Sequence, residues 1–236
     1  AFTDIPGGGY FNREVWGISN DTAWTGDSIT VRNILGYRET RVEQLVTSSG
    51  TGPTIVPIGA GVEFTLFHGA NEIDRKYLSD EFQMLGTALD EKLDWIVGAY
   101  YSKDESVSPN GSTFTIFAAP ALTGDAPAIT AHVENENKAI FGQGGLDLSD
   151  WTIDGLKLNV GLRYSWDDVW ACGGADPDDK FSYMSVGRCK KVAARNNSED
   201  GVGTIKNSGG APSWTIGLDW QMSQETLLYV TSRRGY

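Results

Sequence analysis

From Leu156 to Asp167 the chain alternates without a break. Leu156, Leu158, Val160, Leu162, Tyr164 and Trp166 are apolar, while Lys157, Asn159, Gly161, Arg163, Ser165 and Asp167 between them are polar, charged or lack a side chain. A period of two sorts the two sets onto opposite faces of an extended strand; a helix, repeating about every 3.6 residues, cannot do so. Trp214, Ile216, Leu218 and Trp220 repeat the pattern against Thr215, Gly217, Asp219 and Gln221. Leu93, Trp95, Val97, Ala99 and Tyr101 repeat it again, with Ile96 as an exception on the polar side. Ile29, Val31, Leu35 and Tyr37 form a weaker copy interrupted by Asn33, and Phe82 and Met84 lead a short one before Gly86. No segment carries a capped helical period, and the β-branched and aromatic content favours strands. The pattern predicts an all-β chain of about eight strands near residues 13–24, 28–39, 75–89, 92–103, 137–149, 155–167, 213–222 and 226–235.

The connections narrow the architecture. Short links at residues 25–27, 90–91, 150–154 and 223–225 alternate with long ones at 40–74, 104–136 and 168–212. An antiparallel meander puts alternate links at opposite ends, so one end has tight turns and the other large loops. Transmembrane β-barrels of the outer membrane have this asymmetry, with an apolar outer band and a polar interior. A soluble β-sandwich shows the same period of two, but loops above about 12–15 residues are uncommon in compact domains. Trp95 and Tyr101 sit near opposite ends of one apolar row, and Trp214 and Trp220 of another. They read either as girdles bordering an apolar band about 25 Å tall or as ordinary core residues. Both architectures remain open on the strands alone.

Composition removes other classes. The formal charge of −12 opposes binding to nucleic acid, which needs basic patches. Two His and two Cys are too few for a zinc cluster of several such ligands. No apolar run reaches the length of a membrane-spanning helix, which says nothing against a barrel. Ala1 opens without a Met, a basic stretch or an apolar run, so any signal peptide is expected to lie outside this sequence.

Several segments resemble TonB-dependent receptors of the bacterial outer membrane, the group that includes siderophore receptors. They are EFQMLGTALDEKLDWIVGAYYSKDES (Glu81–Ser106), NKAIFGQGGLDLSDWTIDGLKLNVGLRYSWDD (Asn137–Asp168), PSWTIGLDWQMSQETLLYVTSRRGY (Pro212–Tyr236) and ITVRNILGYRET (Ile29–Thr40). The family commonly reads Ser-Arg-Gly-Tyr where this chain has an extra arginine in Ser232–Tyr236. The resemblance implies an antiparallel transmembrane β-barrel of about 22 strands, plugged by an N-terminal domain. Residues 1–236 would be part of that barrel; no stretch of them resembles the plug or the TonB box. A closed eight-stranded barrel fits the arithmetic, but Gly235–Tyr236 falls mid-barrel in the family.

On this reading Trp95, Val97, Leu158, Val160, Leu162, Trp214, Ile216, Leu218 and Trp220 face lipid. Lys157, Asn159, Arg163, Ser165, Asp219 and Gln221 face the lumen, with Gly36, Gly98, Gly161 and Gly217 expected on that same face. Cys172 and Cys189 lie in the longest expected loop; in an oxidising compartment they pair as a disulfide, whereas in a cytosolic protein they stay free thiols. The outer-membrane reading selects the bridge. Asp167, Asp168, Asp176, Asp178 and Asp179 form an acidic cluster whose spacing matches no calcium loop and reads as a solvated surface. His68 and His132 are placed on two different long loops, where two histidines without a third ligand are weak evidence for a metal.

The resemblance implies a receptor that binds a scarce solute, such as an iron-siderophore, and admits it when the TonB complex pulls on the plug. Its partners would be outer-membrane lipid, the TonB complex and the solute, not nucleic acid. No catalytic residue, cofactor or metal ligand is assigned, and the expectation is transport, not enzyme chemistry. Two competing readings are a secreted β-sandwich that binds carbohydrate, with Trp95, Trp166, Trp214 and Trp220 in one core, and an outer-membrane lipase using His68 or His132. The sequence leaves the solute unnamed.

Overall fold

The structure, a computed structural model, describes residues 10–47, 54–56, 62–107, 111–118, 128–178, 184–195 and 202–235. The strands are β1 (Tyr10–Thr25), β2 (Ile29–Thr47), β3 (Thr54–Val56), β4 (Val62–Ala88), β5 (Leu93–Ser106), β6 (Gly111–Ala118), β7 (Ala128–Asp147), β8 (Leu156–Gly174), β9 (Gly203–Ser223) and β10 (Thr226–Arg234), with one helix, α1 (Val186–Arg195). Eight of the strands form one antiparallel path, β1-β2-β4-β5-β7-β8-β9-β10; β3 pairs with β4, and β6 bridges β4 and β7. Neighbours on the path follow one another in the chain, with only β3 inserted between β2 and β4 and β6 between β5 and β7. The path does not close on itself, so β1 and β10 are its two edges.

The tight turns gather at one end. Asp147 accepts a hydrogen bond from the Ser149 amide at 2.8 Å, and the Leu148 carbonyl accepts from Trp151 and Thr152, each at 3.0 Å. Gly155 closes this turn at φ 76°, where a Cβ would lie 2.4 Å from the Gln221 carbonyl oxygen. Leu89, Asp90 and Glu91 pass through the left-handed region in succession, an uncommon path for side-chain-bearing residues. Beside that turn Asp150 pairs with Lys92 and holds its ammonium above the ordinary lysine value.

The opposite end differs from expectation. Long loops were expected at 40–74, 104–136 and 168–212, yet strands fill much of each. β2 runs to Thr47, β4 starts at Val62, β7 starts at Ala128, β8 runs to Gly174 and β9 starts at Gly203. Stretches of these extensions are polar on both faces, as in Glu134–Lys138 and Lys206–Gly210, and Val169–Cys172 is apolar on both, so the alternation that marks a half-buried strand fades there. Their backbone groups are satisfied by equally long neighbours instead. Helix α1 was also not expected. Its sequence VGRCKKVAAR is short and strongly cationic, but Cys189, Val192 and Ala193 share one buried side.

That side belongs to the compact core of the described residues. Cys172, Met184, Cys189, Val192, Ala193 and Val202 are buried together, with Trp170 against them. Elsewhere the sheet is a single layer. The accessible surface of the chain is 15101 Å², against about 10,400 Å² for a compact monomer of 25.6 kDa. Val160 is 44% exposed, Leu162 59%, Ile216 47% and Leu218 39%. Trp166 and Trp214 are exposed, and Trp95 and Trp220 half-buried, so the tryptophan core expected of a sandwich does not form.

Candidate functional site

Strand register sorts the side chains of neighbouring strands onto two faces, because directly paired residues point the same way. One row joins Met84, Val97, Gly142, Leu162 and Trp214. The next joins Gly86, Trp95, Gly144, Val160 and Ile216. Leu158 pairs with Leu218, and Leu156 with Trp220. All the residues expected to face lipid therefore share one face, the apolar face. It continues through Phe82, Ile140 and Tyr164 to Tyr101 and Trp166, and ends there. Leu156 to Trp166 is ten steps of roughly 3.3 Å, and a strand tilt of about 40° reduces this to a height of about 25 Å.

Above Trp166 the same face becomes charged. Lys138 pairs with Glu136, Lys103 with Glu105 at 2.7 Å and Glu134 at 3.3 Å, and Lys76 with Glu39 at 3.6 Å. The Trp16 indole N–H donates to Glu39 at 2.8 Å.

The opposite, polar face carries Lys157, Asn159, Arg163, Ser165, Asp219 and Gln221, together with Gly36, Gly98, Gly161 and Gly217. Across strands Lys157 pairs with Asp94 at 3.0 Å and Asn159 donates to Asp219 at 2.7 Å, while within β8 Arg163 Nε donates to Ser165 Oγ at 3.0 Å. The sequence reading left several members of this face unassigned. They include Arg32 with Asp21, Arg75 with Asp104 at 2.8 Å, and Tyr77 hydrogen-bonded to Tyr100 at 2.9 Å. Carrying the parity of one strand across each short turn would have found them.

Arg163 is the centre of a layered arrangement. Gly98 lies directly under Phe141; a Cβ there would come within 2.5 Å of the ring and 2.6 Å of the Phe82 carbonyl oxygen. The Arg163 guanidinium sits 5.9 Å from the Phe141 ring centre and 5.3 Å from that of Tyr100. Planar guanidinium over aromatic ring is a favourable electrostatic contact.

Other expected features are redistributed. Cys172 lies in β8, not in a loop, and bridges to Cys189 of α1 with Cα atoms 6.1 Å apart. This bridge pins residues 184–195 against the upper end of β8. Trp170, Cys172, His132 and Thr130 all share the parity of Trp166, so the cap packs on the apolar-face side of the sheet and not over the polar face. Lys190 lies 4.5 Å from the Trp170 ring centre. His132 is in β7, 1% exposed, with Nε2 2.8 Å from the Met184 carbonyl oxygen. His68 falls in β4, and its side chain lies outside the described residues. β6 separates the two strands, and the histidines stand several positions out of step, so they are not brought together. The acidic cluster also divides. Asp167 accepts from Asn137 on the polar face, Asp168 is on the opposite face of β8, and Asp176 and Asp178 hold Arg188. The two carboxylates keep the Arg188 guanidinium above its ordinary value. Asp179 lies outside the described residues. Among the described residues, no group of three or more His, Cys, Asp or Glu is placed to hold a metal.

The family model described as TonB dependent receptor-like, beta-barrel matches residues 2–236. The chain belongs to this family. Among solved structures, this TonB-dependent receptor barrel segment is similar to the ferric yersiniabactin uptake receptor FyuA from Yersinia pestis. The TM-score is 0.67 at 11% identity, covering 95% of this chain and 28% of that one. It is also similar to the ferric citrate transporter FecA in its unliganded form, with TM-score 0.58, 11% identity and coverage of 94% and 27%. The siderophore receptor PiuA from Acinetobacter baumannii gives TM-score 0.56, 13% identity and coverage of 94% and 32%. The chain thus spans about a third or less of these relatives. Comparison with curated protein sequences gives no match.

Proposed function

We propose that residues 1–236 form part of the barrel wall of a TonB-dependent outer-membrane receptor, with the plug domain lying outside them. The whole receptor binds a scarce solute, an iron-siderophore or similar complex, and takes it up at the expense of the TonB complex acting through the plug. The chain itself performs no bond chemistry.

The observation that carries this reading is the split of one single-layer sheet into an apolar face about 25 Å tall and a polar face. Lipid is the solvent that accepts the first. Trp95, Val97, Leu158, Val160, Leu162, Trp214, Ile216, Leu218 and Trp220 then face the acyl chains. Tyr101, Tyr164 and Trp166 border one interface and Trp220 the other, where amphipathic rings are stable. Lys157, Asn159, Arg163, Ser165, Asp219 and Gln221 line the lumen. The family membership, and fold likeness to receptors whose names specify ferric complexes, support the choice of solute.

The test is uptake of radiolabelled ferric siderophores by cells carrying or lacking the intact receptor gene, in the presence and absence of TonB. Uptake of at least one chelate should require both. Equal uptake of every chelate in all four strains would refute the transport reading.

A further inference from the structure

One residue on the apolar face contradicts its surroundings. Asn33 interrupts the row of Ile29, Val31, Leu35 and Tyr37, and its ladder partners are Thr22 on β1 and Phe82 on β4. Paired residues point the same way, so Asn33 lies on the side assigned to lipid. It stands four residues above Ile29 at the lower turn, about 10 Å up a band about 25 Å tall. Acyl chains offer no hydrogen bond at that depth. A plug within the lumen does not reach this side of the wall.

The Asn33 amide is half spent. Its Nδ2 group donates to Asp80 Oδ1 at 2.6 Å and to the Glu81 carbonyl oxygen at 3.5 Å. A carboxylate and a carbonyl accept only, which fixes the amide with Oδ1 turned away from them. That Oδ1 has no partner among the described residues, although both flanking strands, β1 and β4, are in place. On β1, Thr22 Oγ1 donates to Asn20 Oδ1 at 2.7 Å, which leaves the Asn20 Nδ2 group unspent among the described residues. The patch therefore carries one spare acceptor and one spare donor.

Strand tilt brings these two to one level. The lower turns step along the ladder: β4 runs two residues beyond Gly86, the partner of Ile29, and β9 runs three beyond Trp220, the partner of Leu156. Rows of paired residues thus climb from β1 toward β10. Asn20 is two residues above Thr22, the partner of Asn33, but one strand back down that climb. At a tilt of about 40°, a rise of roughly 5 Å along β1 is offset by a fall of roughly 3 Å between strands. The two amides differ in height by about 2 Å and stand about 8 Å apart along the wall. Leu35, the ladder partner of Asn20, lies midway between them and slightly higher.

We infer that this patch is the contact of a homodimer within the membrane, with a second copy of the receptor as its occupant. A two-fold axis along the membrane normal, passing through Leu35, lays Asn20 of each copy against Asn33 of the other. A two-fold contact uses the same patch on both subunits, so the patch must hold both halves of each bond, as this one does. Leu35 packs on its own copy, and the exposed Ile18 and Phe82 flank it. Close packing and hydrogen bonds are what drive association where lipid surrounds both partners. The inference rests on the proposal that the apolar face meets lipid.

The experiment uses the intact receptor in isolated outer membranes. Leu35→Cys should cross-link to its own copy on oxidation with copper phenanthroline. Leu162→Cys, at about the same height but far round the wall, should not. In sedimentation equilibrium in detergent, Asn33→Leu and Asn20→Leu should each raise the dimer dissociation constant about tenfold or more, since each removes two bonds per dimer. Asn159→Leu on the polar face should leave it unchanged. Both patch substitutions make the lipid side more apolar, so the barrel should keep its urea midpoint. The dimer is refuted if Leu35→Cys cross-links no better than Leu162→Cys, or if both patch variants associate like the wild type. Labelling of Leu162→Cys by a membrane-impermeant thiol reagent would overturn the lipid assignment and the dimer together. A shielded Leu162→Cys without cross-linking of Leu35→Cys would overturn the dimer alone.

Discussion

Leu162→Arg distinguishes a lipid-facing wall from any water-facing sheet. Leu162 is six residues above Leu156, which at roughly 3.3 Å per residue and a tilt of about 40° puts it about 15 Å up a band about 25 Å tall, near its middle. It is 59% exposed, paired with Gly142 and Trp214, and no carboxylate lies in its row. At the midplane of a bilayer an arginine on the outer face costs about 2–4 kcal/mol. On the polar face, Asn159→Arg places the same charge beside Asp219 and in water, so its effect should stay within about 0.5 kcal/mol. Trp166→Arg, at the border of the band, should fall between them at about 0–1 kcal/mol for the charge itself. The assay is urea-dependent unfolding of the intact receptor from lipid vesicles, followed by tryptophan fluorescence, with all three variants under one condition. Equal destabilisation by Leu162→Arg and Asn159→Arg would show that depth and face do not matter, and the assignment of lipid to the apolar side would be lost.

Removing the Cys172–Cys189 bridge, whose sequence separation is 17, should loosen the cap by on the order of 3 kcal/mol. Hydrogen exchange should speed up in residues 186–195 and stay unchanged at Leu156–Tyr164; faster exchange throughout β8 would refute a local role. Gly98→Ala forces the Phe141 ring and the Phe82 carbonyl apart. It should destabilise the receptor by about 1–3 kcal/mol in the same urea assay, and a change below about 0.5 kcal/mol would show that the ring does not rest on this glycine. Gly155→Ala adds a Cβ at φ 76° and 2.4 Å from the Gln221 carbonyl oxygen; a loss of more than about 1 kcal/mol is expected, and neutral behaviour would mean the turn can reshape freely.

Much of the wall was legible because its residues answer to a simple two-sided environment. Leu156–Asp167 and Trp214–Gln221 place every residue on the face that their alternation assigns. The short turns at 25–27, 90–91, 150–154 and 223–225 fall between observed strands, because their ends are fixed by where each alternating run stops. Legibility ends at Trp166. Beyond it, Lys138, Glu136, Asp168 and Lys103 share a face with leucines lower down, and a strand that is wet on both sides carries no periodic signal. Residues that extend such strands then look like loop. Helix α1 was hidden for a related reason: its apolar residues cover a cap core so small that Cys189, Val192 and Ala193 suffice, and the four cations among its ten residues dominate the pattern. The candidate site was visible only in part. Arg163 could be given a face, but its stacking on Tyr100 and Phe141 depends on partners 63 and 22 residues away, brought together by register.

The disulfide-held cap has a geographical consequence. In the proposed wall, the described residues of the cap pack on the lipid side of β7 and β8, away from the polar face. On that reading this part of the hairpin serves as an outer buttress and not as a lining of the passage.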